Sequence, residues 1–313
     1  MLFTQKMKLT DITSFQEQLL KGQEYPDYLV HLFEDLRIEI DLSGVDEKEL
    51  NISFLENTLK ISKKYNVGEN TLQQVSDNIV ARSASTKVAR GVVGRMAETD
   101  DPVLVYGENG TGKGLFARTI HQRSARREQP FVSVSCGDID NKQQMIDYLA
   151  AVGTGTLLLD GVQDLDIDTQ RMLKKIIRIP VEQKYFRLIT TTSVDLDELV
   201  QKGDFSAELL AILQSCYIEL LPLQQRKEDI EALVTFYMEK ICRSCGLEPK
   251  SLSPDLLRML ESYPWPGNVL ELVNTVEQLL MTAQEKRTLF AKDLPTHIRI
   301  QTISSSAAHK KGI

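Results

Sequence analysis

Residues 107–114 read Gly107-Glu108-Asn109-Gly110-Thr111-Gly112-Lys113-Gly114, and they follow the apolar run Val103-Leu104-Val105-Tyr106. A helical pattern begins at Lys113, so the order is strand, glycine-rich loop and helix. Such a loop directs backbone N–H groups at a polyphosphate, the helix N-terminus adds partial positive charge, and the lysine reaches the β- and γ-phosphates. The stretch predicts a nucleotide-binding site formed by Gly107, Glu108, Asn109, Gly110, Thr111, Gly112, Lys113, Gly114 and Leu115.

The residue after the lysine departs from the usual pattern. A serine or threonine at this position supplies a hydroxyl ligand to Mg²⁺, whereas this chain has Gly114. The loop therefore favours phosphate binding over metal-assisted chemistry. Glycine-rich turns also precede helices without any ligand, but the preceding strand and the Gly112-Lys113 pair argue against that alternative.

The composition indicates a globular protein of about two domains. The chain has 313 residues, 42% of them hydrophobic, and a formal net charge of −7 with an isoelectric point of about 5.3. An acidic chain has no overall field that attracts nucleic acid, so a nucleic-acid partner is not expected. Without an apolar run of membrane-spanning length or a secretory leader pattern, the sequence predicts a cytoplasmic protein with no membrane partner.

The pattern along the chain predicts four regions. Residues 1–76 contain two alternating segments, 36–42 and 50–61, and form a small α+β N-terminal region, interpreted as regulatory or docking. Residues 77–225 alternate strands and helices, which predicts an α/β core with a parallel sheet. Residues 226–300 show helical patterns and predict an all-α lid, and residues 301–313 read as a disordered tail.

The cysteines and histidines leave alternatives open. The four cysteines fit a reducing compartment better than a disulfide scaffold. Cys242 and Cys245 have the spacing of a metal or redox pair, but no second Cys/His pair lies near them in sequence, which favours two thiols at the end of a helix. His121 falls in the helix after the phosphate loop and is interpreted as structural.

Five motifs occur in register: Gly107–Gly114, Phe131–Cys136, Gly155–Asp160, Pro222–Ile230 and Tyr263–Leu272. Together they resemble the AAA+ domain of bacterial NtrC-type activators of sigma-54 RNA polymerase. The likeness covers roughly residues 77–300 and implies an ATP-binding P-loop core with a helical lid, assembled as a ring in which each subunit completes its neighbour's site. ATP or ADP is then the expected ligand.

The resemblance also shows what is missing around the expected metal ligand, Asp160. The family's Walker B motif ends in Asp-Glu, the aspartate holding Mg²⁺ and the glutamate polarising the attacking water, but here Asp160 is followed by Gly161. The asparagine that positions this glutamate corresponds to Ser135. No catalytic residue is therefore assigned, and Mg²⁺ is only weakly supported.

The expected arginines are missing as well. Two family arginines that reach a neighbouring subunit's γ-phosphate correspond to Ser206 and Ile212, and the lid arginine corresponds to Leu270. Losing a positioned base removes about 10²–10⁴ in rate, and losing an arginine finger about 10³–10⁵. These losses predict a pseudo-ATPase, unless the alignment slips and Arg226, Arg187 or Glu208 substitutes.

The resemblance implies a changed set of partners. The segment from Asp138 to Gly155 has room for one helix and no GAFTGA loop, so direct sigma-54 contact is not expected. Direct operator recognition by a helix-turn-helix after the lid is not expected either. The favoured hypothesis is a nucleotide-binding regulator of transcription whose partner is a protein, either a paralogous AAA+ activator or further copies of itself in a ring. The alternatives are a slow ATPase that remodels another partner, a DNA-associated transcription factor, and a scaffold that has lost nucleotide binding as well, which Gly114 and Leu270 would favour.

Overall fold

A computed structural model describes residues 79–178, 186–283 and 285–302. The predictions for residues 1–76, and for the tail beyond residue 302, lie outside these ranges. Within the ranges, no helix is long and apolar enough to cross a membrane. The strands are β1 Val103–Tyr106, β2 Phe131–Ser135, β3 Thr156–Asp160, β4 Arg187–Thr192, β5 Tyr217–Glu219, β6 Ser251–Leu252 and β7 Thr288–Leu289. The helices are α1 Ala84–Ala97, α2 Lys113–Arg123, α3 Lys142–Val152, α4 Ile167–Ile177, α5 Leu196–Lys202, α6 Ala207–Leu213, α7 Ile230–Cys245, α8 Pro254–Ser262 and α9 Asn268–Thr282.

The described chain divides into two compact units. The first contains Met96–Leu104 and Ala117–Tyr217, and the second contains residues 79–95, Val105–Phe116 and residues 218–302. Each unit has its own apolar core, one built on the sheet and α3 to α6, the other on α7 to α9.

A five-stranded sheet with the order β2-β3-β4-β1-β5 organises the α/β fold. Strands β2, β3 and β4 pair in parallel, and Ser135 at the end of β2 lies beside Asp160 at the end of β3. The leucines Leu157, Leu158 and Leu159 of β3 are all buried, as expected for a parallel strand covered on both faces. The carboxyl ends of β2 and β3 therefore meet at one edge of the sheet.

Side-chain caps fix where several helices of the first unit begin. Asn141 caps α3 by accepting from the Gln144 N–H, and Asp166 caps α4 by accepting from the Thr169 N–H. Such caps satisfy backbone donors that the first turn leaves open and are worth about 1 kcal/mol each. Because the capping residue lies only three positions before the N–H group that it binds, the local sequence determines where α3 and α4 begin.

The lid helices of the second unit pack around a single buried tryptophan. Trp265 is almost fully buried, donates from its indole nitrogen to the Leu260 carbonyl at 2.7 Å, and packs edge-on against Tyr263. Satisfying the indole N–H removes the main cost of burying this side chain. The prolines and glycine at 264–267 thus mark a packed corner between α8 and α9.

The predicted fold class is confirmed: the protein is α/β with a parallel sheet and a helical lid region. Two details differ. The lid contains a two-residue parallel pairing, β6 with β7, which is too short to produce a periodic signal. Residues 296–302 are helical, and Thr302 donates to the Ile298 carbonyl at 2.8 Å, so order extends two residues into the predicted tail. The predicted domain boundaries otherwise stay predictions.

Gly155 before β3 provides a test of backbone packing. A Cβ at this position would lie 2.0 Å from the Pro130 carbonyl oxygen, so we expect Gly155→Ala to destabilise the protein by about 2 kcal/mol or more. Gly94 lies in α1 with nothing within 4 Å of an added Cβ, and Gly94→Ala should stabilise by up to about 1 kcal/mol. Urea unfolding of both variants measures the contrast; equal free energies of unfolding would contradict it.

Candidate nucleotide-binding site

The phosphate loop has a defined internal structure in the second unit. The Thr111 hydroxyl donates to the Glu108 carbonyl at 2.7 Å, and α2 begins at Lys113. The Lys113 ammonium is largely buried and donates to the carbonyls of Gly107 at 2.8 Å and Glu108 at 3.1 Å. The loop thus places a lysine cation and a helix N-terminus together, an arrangement that attracts a polyphosphate.

Asn268 attaches the phosphate loop to the first turn of α9. Its side-chain nitrogen donates to the Glu108 carboxylate and to the Asn109 carbonyl, both at 3.0 Å, and its side-chain oxygen accepts from the Leu223 N–H at 2.7 Å. Asn268 is fully buried and has a positive φ of 53°, a conformation that asparagine tolerates better than most residues. One amide therefore fixes three backbone segments.

Leu270 lies two residues after Asn268 in α9. Its backbone N–H donates to the Gly110 carbonyl at 3.2 Å, so its side chain begins next to the loop, while 61% of the residue is exposed. A leucine brings no charge to the phosphates. The structure thus puts an uncharged, exposed side chain where the resemblance implies an arginine.

Two buried charged residues lie beneath the loop. Arg226 donates to the carbonyls of Thr111 and Leu221, each at 2.9 Å, and lies 3.7 Å from the Asp229 carboxylate. Burial raises the pKa of Asp229, but hydrogen bonds from Thr86, Ser83 and the backbone outweigh it and hold the pKa below its usual range. Both groups are thus charged and paired at the base of the loop.

In the first unit, Asp160 lies at the end of β3 with an exposed carboxylate. Its neighbour across the sheet is Ser135, and the hydroxyl of Thr191 donates to the Asp160 carboxylate and accepts from the Gly161 N–H at 3.1 Å. Thr191 thereby fixes the orientation of the predicted metal ligand. Ser135, which the resemblance matches to the family asparagine, thus lies next to Asp160 in the sheet.

Gly161 has a backbone conformation that suits glycine. Its φ is +80°, in the left-handed region, and it precedes the short 3₁₀ helix Val162–Asp164. A Cβ here would lie 2.8 Å from a carboxylate oxygen of Asp164. A glutamate at 161 would carry backbone strain, and the Asp164 carboxylate would have to move aside, so the positive φ is what favours the glycine.

The two positions expected to carry arginine fingers have structural roles. Ser206 caps α6 by accepting from the Leu209 N–H at 3.4 Å, and its own N–H donates to Gln170 at 2.9 Å. Ile212 is half-buried and packs against the core of the first unit. A long cation at either position would replace an existing structural contact.

The residues considered as substitutes for those arginines are engaged elsewhere. The Glu208 carboxylate binds Lys174 at 3.0 Å and Arg178 at 2.9 Å. Arg187 starts β4 beside Thr156, at the opposite end of the strands from Asp160, and donates to the Met96 carbonyl. Arg226 contacts the phosphate loop of its own chain through a backbone carbonyl. Within the chain, Glu208 is thus held in two surface ion pairs, and Arg187 lies at the far end of the strands from Asp160.

Mg²⁺ finds few ligands in the described residues. Mg²⁺ is usually held by one or two carboxylates together with substrate phosphates and waters. Asp160 fits this role, whereas Gly114 supplies no hydroxyl, and within the described ranges no group of three or more His, Cys, Asp or Glu side chains is placed to hold a metal ion. Of the two positions that the family pattern assigns to Mg²⁺, Gly114 and Asp160, only Asp160 carries an oxygen ligand.

Cys242 and Cys245 lie at the end of α7, before Gly246. Cys242 is buried and Cys245 is exposed, and burial raises the pKa of Cys242. A buried thiol with a raised pKa has little thiolate to offer a metal or an oxidant. Cys242 and Cys245 are therefore two separate free thiols at the end of α7.

Several contacts at the site were not assigned from the sequence. The sequence alone gives no role to Asn268 and Asp229, although both lie within the family-like motifs. It also gives no role to Thr86 or Thr191. The Gly267-Asn268 pair carries a local signal, since both residues favour unusual backbone angles. Nothing in the local sequence indicates that Thr86 and Asp229, 143 positions apart, share a hydrogen bond of 2.6 Å.

The phosphate loop, the parallel sheet and the helical lid define a P-loop protein of the AAA+ class. Residues 80–223 match the family described as the sigma-54 interaction domain, and residues 224–311 match the AAA+ ATPase lid domain. The chain belongs to the AAA+ family of sigma-54-interacting transcriptional regulators.

Individual relatives agree with this assignment. The chain is 32% identical over 269 residues to the DNA-binding transcriptional regulator NtrC of Proteus hauseri, covering 76% of this chain and 56% of that protein. It is 30% identical over 235 residues to the HTH-type transcriptional regulatory protein TyrR of Haemophilus influenzae, covering 68% and 74%. The chain spans about half the length of the NtrC and NtrX relatives that it matches.

Solved structures of NtrX from Brucella abortus are also similar. The complex with ADP has a TM-score of 0.64 and 26% identity, covering 82% of this chain and 62% of that one. The complex with ATP has the same score and identity, covering 86% and 68%. The expected kinship with NtrC-type activators is confirmed.

His121 in α2 predicts a specific pH dependence of stability. The ring is buried, its Nδ1 lies 2.9 Å from the Thr156 hydroxyl, and burial followed by the charges of Arg118 and Arg187 lowers the pKa to about 4. Because the unfolded histidine titrates near 6.5, the unfolded state binds more protons between pH 6.5 and 4, and stability falls as the pH falls through that window.

Urea unfolding at pH 7.5 and pH 5 tests this assignment. His121 should account for a loss of about 2 kcal/mol between the two values, and His121→Asn, which does not titrate, should remove that part of the loss. His297 is exposed, so His297→Asn should keep the wild-type dependence. Identical pH dependence in the wild type and His121→Asn would contradict the assignment.

Proposed function

We propose that this protein binds ATP or ADP at the phosphate loop and regulates transcription through nucleotide-dependent contacts with another protein, with little or no hydrolysis. The observation that carries the proposal is the phosphate loop, with Lys113 at the start of α2 and with Asn268 and Arg226 holding the loop, in a chain with Gly161 after Asp160. Binding and hydrolysis need different residues, and this chain retains mainly those for binding.

Related structures support the proposal that this chain binds a nucleotide. The NtrX structures of Brucella abortus are described as complexes with ADP and with ATP. A ligand that binds only the folded state stabilises it by about 2.7 kcal/mol at a hundredfold excess over Kd. Nucleotide in this role is a structural ligand that selects one conformation for a partner.

Impaired hydrolysis follows from the residues around Asp160 and on α6. Gly161 supplies no base, and Ser206 and Ile212 supply no charge to a neighbour's phosphates. Losing the base alone removes about 10²–10⁴ in rate, and typical turnover numbers are only about 1–10³ s⁻¹. One such loss alone lowers the turnover number to about 10⁻⁴–10 s⁻¹.

The proposed partner is a protein, either a paralogous AAA+ activator or further copies of this chain in a ring. The segment between β2 and β3 forms the single helix α3, whose Asn141-capped start and buried apolar face leave no inserted surface loop there. We therefore do not expect sigma-54 contact through such a loop. No membrane or nucleic-acid contact is part of the proposal.

A slow ATPase is the second candidate, and Asp164 favours it. One carboxylate oxygen of Asp164 lies 2.8 Å from the place of a Cβ at residue 161, so a carboxylate is present next to the position of the missing glutamate. A carboxylate so placed is a candidate to accept the proton of an attacking water. Phosphate release that is lost in Asp164→Asn would select this candidate.

The first test is nucleotide-dependent thermal stability in the full chain. ATP or ADP at a hundredfold excess over Kd should raise the Tm by roughly 5 °C, since the stabilisation is about 2.7 kcal/mol. Lys113→Ala should abolish the shift because the loop loses its cation. Phosphate release in the same samples should stay at background.

The control is Lys142→Ala, which removes an exposed lysine of α3 and should keep the full shift. A missing shift in the wild type would overturn the nucleotide proposal. Clear phosphate release would overturn impaired hydrolysis and leave the second candidate.

Restoring a lid cation provides a further test. Leu270 is exposed and its backbone contacts the loop, so Leu270→Arg should be tolerated and should tighten ATP binding about fivefold, or ~1 kcal/mol for a partly screened charge pair. Met281→Arg places the same charge on the same helix at a residue 71% exposed near its other end. Calorimetric titration should show tighter binding for the first variant alone; equal affinities would contradict the placement of residue 270.

A further inference from the structure

The buried carboxylate of Asp229 gathers four donors from one short segment. Its Oδ1 accepts from the backbone N–H groups of Arg82 at 2.6 Å and Ser83 at 2.7 Å. Its Oδ2 accepts from the hydroxyls of Ser83 at 2.9 Å and Thr86 at 2.6 Å. Asp229 is fully buried, so the position of its carboxylate depends on the conformation of residues 82–86.

Arg226 continues the chain of contacts from Asp229 to the phosphate loop. Its guanidinium lies 3.7 Å from Asp229, its Nη1 lies 3.5 Å from the Thr86 hydroxyl, and its Nη2 donates to the Thr111 carbonyl at 2.9 Å. The planar guanidinium donates to Leu221 at the same time, which restricts its rotation. A shift of the carboxylate would therefore move the donor that holds Thr111.

Holding the Thr111 carbonyl also orients the next N–H. In a trans peptide the C=O and the following N–H point in opposite directions, and the described chain has no cis peptide. Because the Thr111 carbonyl faces Arg226, the Gly112 N–H is directed away from it. Backbone donors of a glycine-rich loop are the groups that bind phosphate oxygens, so Arg226 acts on the binding groups without touching a ligand.

We propose that Arg226 and Asp229 are positioning residues of the nucleotide site, and that they couple nucleotide affinity to the conformation of residues 82–86. We call these contacts, from Arg82, Ser83 and Thr86 through Asp229 and Arg226 to Thr111, the Asp229 network. A change in the conformation of residues 82–86 would pass through the Asp229 network to the loop and alter its affinity for nucleotide. This inference rests on the proposed nucleotide binding.

The experiment is a double-mutant cycle on nucleotide affinity in the full chain. Thr86→Val removes one donor to Asp229 and keeps the side-chain shape, and Arg226→Lys keeps the charge but loses the simultaneous donation to Thr111 and Leu221. We expect Kd for ADP to rise about threefold in Thr86→Val and about tenfold in Arg226→Lys. In the double variant, Kd for ADP should rise by clearly less than the product of the two single-variant factors, because both substitutions act through one network.

The matched control is Thr275→Val in α9. Thr275 is buried in the same unit and donates to the Glu271 carbonyl at 2.8 Å, outside the Asp229 network. It should lose stability in urea by an amount similar to Thr86→Val and leave Kd unchanged. A Kd that is unchanged in Thr86→Val, or single-variant effects that multiply fully in the double variant, would overturn the coupling.

Hydrogen exchange keeps the proposal testable apart from nucleotide binding. Without nucleotide, the loop amides around Gly112 should exchange several-fold faster in Thr86→Val than in Thr275→Val. If the wild type fails to bind ADP, the proposed function is wrong, but the difference in amide exchange between Thr86→Val and Thr275→Val still tests the positioning role. Equal exchange of the loop amides in the two variants would overturn that role.

Discussion

Arg226 and Asp229 are buried charges, and hydrogen bonds with three separate segments of the second unit satisfy them. Removing one partner from a buried pair leaves an unpaired charge, which costs about 3–5 kcal/mol. Four donors converge on the aspartate, and two backbone carbonyls accept from the arginine. The phosphate loop, whose glycines restrict it little, takes its shape partly from this pair and partly from Asn268.

The positions that lack family catalytic groups have local structural roles. Gly161 allows a left-handed turn, Ser206 begins a helix, and Ile212 packs against a core. In each case the residue present makes a contact that a charged side chain would disturb. At these three positions, restoring the family side chain would bring backbone strain or the loss of an existing contact.

Much of the fold was predictable because its signals are local. The apolar run Val103–Tyr106 and the glycine-rich loop after it predicted a strand and a helix start at Lys113, and the structure has both at these residues. The β6 and β7 pairing was missed because two-residue strands have no periodicity, and the order of residues 301–302 was missed because burial of Ile298 and Thr302 is a tertiary property. The candidate phosphate loop followed from spacing alone, whereas the residues that hold it did not.

By itself, the sequence determined the α/β class, the strand, loop and helix order around Lys113, and the absence of a glutamate after Asp160. These are properties of neighbouring residues, so they can be read from spacing and residue type. Only the tertiary structure decided that Asn268 and Arg226 hold the phosphate loop, and that Asp229 links it to residues 82–86. Such contacts join positions more than a hundred residues apart, and which buried donor meets which acceptor is settled only when the two segments pack together.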